Sequence, residues 1–307
     1  MIIGAGPAGL AAAVYAARQK ISFAIISENV GGQTVWSSDV ENYLGFHLVS
    51  GAALVSRFEE HLRDYKIRLL RETALSIEKT PAGFKIRTNK AAYGAKTVLI
   101  ASGKIPRKLN VPGEEKFLGR GVTYCATCDA PVFVGKDVAV VGGGNSAMDA
   151  ALLSAKYCKS VHVININPKL RGEKQTLGRI AKSGKIRVHN NSRTTEIWGD
   201  KFVQGIKFAE GGREKALSVR GVFIEIGSTP SVSFDKLTQK NALGEIVIHD
   251  DKVREISNLT SVPGIFAAGD VTDVPEKQII VAGGEGVKAV LGVFKFLEGQ
   301  KPRGAKG

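Results

Sequence analysis

The chain has 307 residues, 43% of them hydrophobic, and carries a net charge of +14 from 43 Lys+Arg against 29 Asp+Glu. That is enough for about two domains with their own cores and too apolar for a disordered chain. No apolar run reaches the roughly 18 residues of a membrane-spanning helix, and three cysteines are too few for a disulfide framework, which favours a reducing, cytoplasmic setting. The N-terminus shows no basic region leading into an apolar core and cleavage site, so no secretory signal is read. The basic residues are spread along the chain and not interleaved with aromatics. This argues against nucleic acid and for an acidic protein surface as partner. The one small basic cluster, residues 301–307, reads as a frayed tail.

In chain order, Met1-Ile2-Ile3 reads as a strand, Gly4-Ala5-Gly6-Pro7-Ala8-Gly9 as a turn, Leu10 to Arg18 as a helix and Ile21 to Ser27 as the next strand, with Glu28 at its end. In such a Gly-x-Gly-x-x-Gly unit the first glycine makes the tight turn and the second lets a pyrophosphate approach the backbone. The third lets helix and strand pack closely, and the acid accepts from a ribose. Those roles fall to Gly4, Gly6, Gly9 and Glu28, with Pro7 and Ala8 opening the helix. Only three residues precede Gly4, which suggests a native start further upstream. Gly31-Gly32-Gln33 and Val40-Glu41-Asn42 follow; the doubled glycine permits close approach to a flat ligand, which Gln33 and Asn42 can reach with their amides. A helix is expected from Gly51 to Tyr65, capped by Ser50, with Ala53, Leu54, Phe58 and Leu62 on its core face. Short strands fill the stretch from Lys66 to Ile100.

Thr123-Tyr124-Cys125-Ala126-Thr127-Cys128-Asp129 places two thiols three positions apart with a carboxylate directly after them. Such a pair can close a small disulfide ring, and the acid can move a proton as one sulfur leaves. A second dinucleotide unit follows: a strand over Gly135 to Val141, the turn Gly142-Gly143-Gly144-Asn145-Ser146, a helix to Tyr157 and a strand over Val161 to Ile166. An acid at the end of that second strand favours NAD and basic residues favour NADP; Asn165 to Arg171 offers neither pattern. Asn165 can meet a ribose hydroxyl, and Lys169 and Arg171 can meet a phosphate. Cys158 and His162 mimic the second half of a zinc site, but a core role suits both better and no metal is expected. The strand ending Gly269-Asp270 can offer a carboxylate to a ribityl hydroxyl. Lys277-Gln278-Ile279 opens a long helix whose first amides can face a ring carbonyl.

With these motifs in this order the chain resembles the low-molecular-weight thioredoxin reductases, and is similar to the flavoprotein part of alkyl hydroperoxide reductase. The resemblance rests on Gly4 to Gly9, Gly31-Gly32-Gln33, Glu41-Asn42, Cys125 to Asp129, Gly142-x-Gly144, Gly269-Asp270 and Lys277-Gln278. It implies an α/β fold of two Rossmann-like domains: an FAD domain over 1–108 and 232–307, and an NAD(P) domain over 109–231 that carries the cysteine pair. It implies a homodimer and a rotation of one domain against the other. It further implies electron transfer from NAD(P)H through FAD to a Cys125–Cys128 disulfide and on to a thioredoxin-like or glutaredoxin-like protein. In that scheme Cys128 is the flavin-proximal sulfur, Cys125 attacks the partner and Asp129 is the acid. A peroxiredoxin-system reductase and a flavin-binding sensor without turnover are the alternatives. NADPH-specific members carry a His-Arg-Arg run and a later Arg; here Asn165, Ile166 and Asn167 hold the run and only Arg171 remains, which leaves NADPH, NADH or another donor open.

Overall fold

The computed structural model describes residues 1–36, 40 and 42–299; Glu41 and the basic tail lie outside them. Among the described residues the α-helices are α1 (Pro7–Arg18), α2 (Gly51–Asp64), α3 (Ala126–Asp129), α4 (Asn145–Tyr157), α5 (Lys174–Lys182) and α6 (Ile279–Gly299). None is long and apolar enough to cross a membrane. Contacts divide the chain into two units, one of residues 1–35, 52–105 and 229–307 and one of residues 36–51 and 106–228.

The first unit is built on a sheet of spatial order His249–Asp251, Ile256–Leu259, Ile265–Ala267, Val98–Ile100, Ile2–Ile3, Ile25–Ile26 and Leu69–Leu70. Its last five strands are parallel. From Ile2–Ile3 the chain goes to a neighbour on one side, Ile25–Ile26, and returns later on the other, Val98–Ile100. A crevice opens beyond the carboxyl end of a strand where the order reverses, and here that end is Gly4. The helices α1 and α6 pack through small side chains, Ala8, Ala12, Ala13 and Ala16 meeting Ala282, Ala289, Val290 and Val293 in one buried cluster. A Cβ on Gly286 of α6 would stand 2.0 Å from the Ala8 carbonyl oxygen. The closeness of the two helices therefore requires glycine at that position. In α2, Leu54 and Leu62 are buried as expected, but Ala53 is exposed and Val55 is buried instead. A helical face turns 100° per residue, so the inward stripe here runs one position further on.

The second unit carries an all-parallel sheet of order Ile186–His189, Ser160–Ile164, Asp137–Val141, Gly221–Ile224 and Val122–Thr123. Val138 to Val141 and Val161 to Ile164 are all buried, an apolar run interrupted by His162 and otherwise that of strands covered on both faces. A three-stranded antiparallel sheet, Ser192–Gly199, Val203–Glu210 and Arg213–Leu217, packs its own apolar face through Ile197, Ile206 and Phe208. Asp137–Val141 has Ser160–Ile164 on one side and Gly221–Ile224 on the other. The order reverses here as well, and Gly142 lies at this switch point.

Candidate active site

In the first unit the turn after Ile3 is made by Gly4 at φ +106°, where a side chain would also strike the Ala101 carbonyl. It leads into α1, whose first turn is capped by no side chain: Gly6 is the N-cap and Pro7 follows it. Space around a Cβ on Gly6 is open, and the first amides of a helix are donors without intrahelical partners. This is the cradle a pyrophosphate needs, and FAD fits it. Gly31 donates to Ala5 O at 2.7 Å, and a Cβ on Gly32 would come 3.4 Å from Gly6 Cα, so the doubled glycine reaches the same turn. Glu28 is exposed at the end of its strand and accepts from the Thr73 hydroxyl. Gln33 donates its amide to Lys104 O at 2.7 Å; this ties the loop to the strand Lys104–Pro106.

Gly269 comes back to the same helix, since a Cβ there would sit 2.9 Å from the Ala8 side chain. Asp270 beside it is pushed up by burial, against the pull of Lys277 and Lys104. Lys277 is itself pushed down by burial and by Lys104, while Glu245 holds it up. Glu245 is buried, pairs with Lys104 and lies 3.3 Å from Lys277. Lys104 and Glu245 carry no motif, and only the fold sets them beside Gly269-Asp270. Gln278 and Ile279 stand at the start of α6, where Ala282 N donates to Gln278 O at 2.9 Å. Asn42 is exposed in the segment closed by the Val40–Val49 bridge, in the other unit.

In the second unit Gly142, at φ +146°, makes the turn, and Gly144 caps α4 with open space where its Cβ would be. Asn145 and Ser146 are exposed behind it, and Asn145 Oδ1 accepts from Glu173 N at 3.3 Å. Arg171 N donates to Gly143 O at 2.8 Å, which brings exposed Arg171 beside the turn. Asn165 departs from its expected role. It is 0% exposed. Its Nδ2 donates to Asn190 Oδ1 at 2.8 Å and Asn167 O at 3.1 Å, and its Oδ1 accepts from Asn167 N at 3.1 Å. Those bonds fix the loop and leave the side chain no approach to a ribose hydroxyl.

Cys125 and Cys128 form a disulfide with their Cα atoms 5.4 Å apart. Cys125 caps α3, its sulfur accepting from Cys128 N at 3.2 Å. Asp129 ends the same short helix and is 3% exposed. One hydroxyl joins acid and dithiol: Thr123 Oγ1 donates to Asp129 Oδ2 and accepts from Cys125 N at 3.1 Å. Thr123 was missed because a threonine in a strand carries no signal of its own. Glu225 was missed as well. It follows the strand Gly221–Ile224, donates its amide to Val141 O at 2.8 Å, and its carboxyl is pushed up to about 7 by burial. An acid inside the run Phe223-Ile224-Glu225-Ile226 at a strand's carboxyl end is the cue that was available. Cys158 is buried and inert, its thiol pushed up to about 11 by burial. His162 stacks on His189, and no group of three metal-ligating side chains occurs among the described residues.

Comparison with known proteins agrees with this geometry. The chain is similar to thioredoxin reductase from Streptococcus pyogenes MGAS5005, with 37% identity, a TM-score of 0.90 and 97% of each chain covered. It is 38% identical over 301 residues to an NADH dehydrogenase of Bacillus subtilis (strain 168), covering 97% of this chain and 58% of that protein. It is 36% identical over 302 residues, with the same coverage, to an alkyl hydroperoxide reductase component of Staphylococcus epidermidis (strain ATCC 12228 / FDA PCI 1200). The chain thus spans a little over half the length of these two relatives. The family model for pyridine nucleotide-disulphide oxidoreductases matches residues 1–286. With two glycine turns at two switch points and a disulfide on the second sheet, the chain belongs to the pyridine nucleotide-disulphide oxidoreductase family.

Proposed function

We propose that the chain is a thioredoxin-disulfide reductase that takes electrons from NAD(P)H and delivers them through the Cys125–Cys128 pair to a thioredoxin-like or glutaredoxin-like protein. The observation that carries this reading is the Cys125–Cys128 disulfide at the start of α3, tied to Asp129 through Thr123. When bound, FAD would pass two electrons from the nicotinamide to a disulfide. Gly4, Gly6, Pro7, Ala8 and Gly9 would hold its pyrophosphate, Glu28 its ribose and Asp270 its ribityl chain. Gly32, Gln33, Lys277, Gln278 and Ile279 would border its ring. Gly142, Gly144, Asn145, Ser146 and Arg171 would take the nicotinamide nucleotide.

In the reduced pair, Cys125 thiolate attacks one sulfur of the partner's disulfide, and the partner's other sulfur leaves as a thiolate that takes a proton. Cys128 then attacks Cys125, which restores the disulfide and releases the partner's second thiol. Asp129, buried beside the pair, holds the proton that accompanies these exchanges. The division into an FAD domain over 1–108 and 232–307 and an NAD(P) domain over 109–231, a homodimer, and a cytoplasmic setting belong to the same reading.

The similarity to an alkyl hydroperoxide reductase component supports a second reading, a reductase of a peroxiredoxin-type partner. Anaerobic titration with NADH and then NADPH, followed by flavin bleaching, identifies the donor. Offering oxidised thioredoxin and an oxidised peroxiredoxin in turn separates the two readings. Cys128→Ser is expected to keep flavin reduction and abolish turnover of either partner; persistent turnover would refute the mechanism.

A further inference from the structure

We propose that Glu245 is a positioning residue for the flavin: it holds the ammonium groups of Lys104 and Lys277 together at the pocket, and the charge of this triad tunes the flavin's two-electron potential. The proposal rests on reading the first unit as the FAD site.

The triad and its neighbours all lie in that unit. Lys104 Nζ and Lys277 Nζ pair with the same carboxylate oxygen, Glu245 Oε1, the second at 3.3 Å. The other oxygen, Oε2, accepts from Asn241 Nδ2 at 2.7 Å, and Asn241 Oδ1 accepts from Glu245 N at 3.0 Å. The carboxylate is thus braced by its own loop. Each member is also bonded to the pocket. Lys104 O accepts from the Gln33 amide at 2.7 Å, next to the doubled glycine that reaches the phosphate turn. Lys277 Nζ donates to Thr272 O at 2.5 Å, and Lys277 precedes Gln278-Ile279 at the start of α6. Ile246, the residue after Glu245, donates its amide to Val271 O at 2.9 Å, which sets the triad beside Gly269-Asp270. Three separate segments therefore converge on residues that would border the ring.

Two ammoniums against one carboxylate leave an excess positive charge. The side chains of Lys104 and Glu245 are only 14% and 7% exposed, so salt screens that charge little. Asp270, the other acid that feels both lysines, is pushed up by burial and offsets the excess less than an exposed acid would. Reduction of FAD by two electrons and one proton yields FADH⁻, which carries one more negative charge than before. A nearby positive charge favours that form.

The test uses the FAD-loaded protein at equilibrium with a redox dye of known potential, while xanthine and xanthine oxidase supply electrons. Glu245→Gln keeps an oxygen for the ammoniums but removes the negative charge. At a fixed ambient potential its ratio of reduced to oxidised flavin is expected to rise about tenfold, the equivalent of about 30 mV. Lys104→Met removes a positive charge and is expected to lower the ratio by about tenfold. The two substitutions together remove one charge of each sign and should return the ratio to within about threefold of the parent. A merely loosened pocket would shift both single variants the same way. If Glu245→Gln holds too little FAD to measure, Lys104→Met against Lys104→Arg decides, since arginine keeps the charge and should keep the parent potential. Equal potentials in the parent and Lys104→Met, or shifts of one sign in both single variants, overturn the proposal. The functional reading fails separately: no reduction of either partner protein by the parent, with the opposite shifts present, refutes that reading and leaves the triad's role standing.

Discussion

Gly286→Ala sets two effects of known sign against each other. Glycine to alanine inside a helix gains about 0.8–1 kcal/mol in propensity. At Gly286 the added Cβ would meet Ala8 O at 2.0 Å, whereas ordinary contact begins at 3.4 Å. The shortfall of about 1.4 Å is against backbone, which cannot rotate away, so α1 and α6 must part. Overpacking of this kind costs about 1–3 kcal/mol, and a rigid obstacle places it at the upper end. The net expectation is a loss of about 1–2 kcal/mol, or a Tm lower by about 3–6 °C. Ala8 is the second residue of α1, so the displaced helix is also the one that carries the phosphate turn; purified Gly286→Ala is expected to hold less flavin. Gly284, two positions earlier, has open space around its Cβ, so Gly284→Ala is expected to raise Tm. Thermal unfolding of the two variants and the flavin-to-protein absorbance ratio decide the matter. A rise in Tm for Gly286→Ala, with full flavin, would refute the packing argument.

Asp129→Asn keeps a partner for the Thr123 hydroxyl but cannot carry the proton, so turnover with a protein disulfide is expected to fall by about 10²–10⁴ while Tm changes little; steady-state kinetics beside a melting curve reads both. Burial raises Glu245, but Lys104, Asn241 and Lys277 together outweigh it and leave its carboxyl below the ordinary value. A depressed carboxylate stabilises the fold above its unfolded pKa, and that stability disappears as pH falls through the lower folded value. Glu245→Gln should therefore cost on the order of 3 kcal/mol near neutral pH and flatten the loss of Tm between about pH 5 and 3; an unchanged acid limb would contradict it. Asn190→Ala removes the 2.8 Å acceptor of Asn165 and loosens the loop up to Arg171, so KM for the nicotinamide nucleotide should rise severalfold while kcat holds, as loss of uniform binding predicts.

Much of the fold was legible in the sequence because its signals are local. Glycines followed by small residues and flanked by apolar runs mark a strand-turn-helix wherever they occur, and both such units stand where they were expected. The dithiol was legible for the same reason, since three positions suffice to bring two sulfurs together. Pairs made across the sheets left no trace in the sequence. Thr123 and Asp129 are six residues apart but meet because a strand ends where α3 begins. Lys104, Glu245 and Lys277 come from three segments, and Glu225 meets Val141 from a strand far along the chain. Asn165 shows the same limit: its position in the second unit suggested a ligand contact, but its partners Asn167 and Asn190 hold its side chain in the core. The sequence by itself thus determined which chemistry the chain carries, because turns and the dithiol are short-range. Tertiary structure decided which groups tune that chemistry, because burial and charge depend on neighbours that are far apart along the chain.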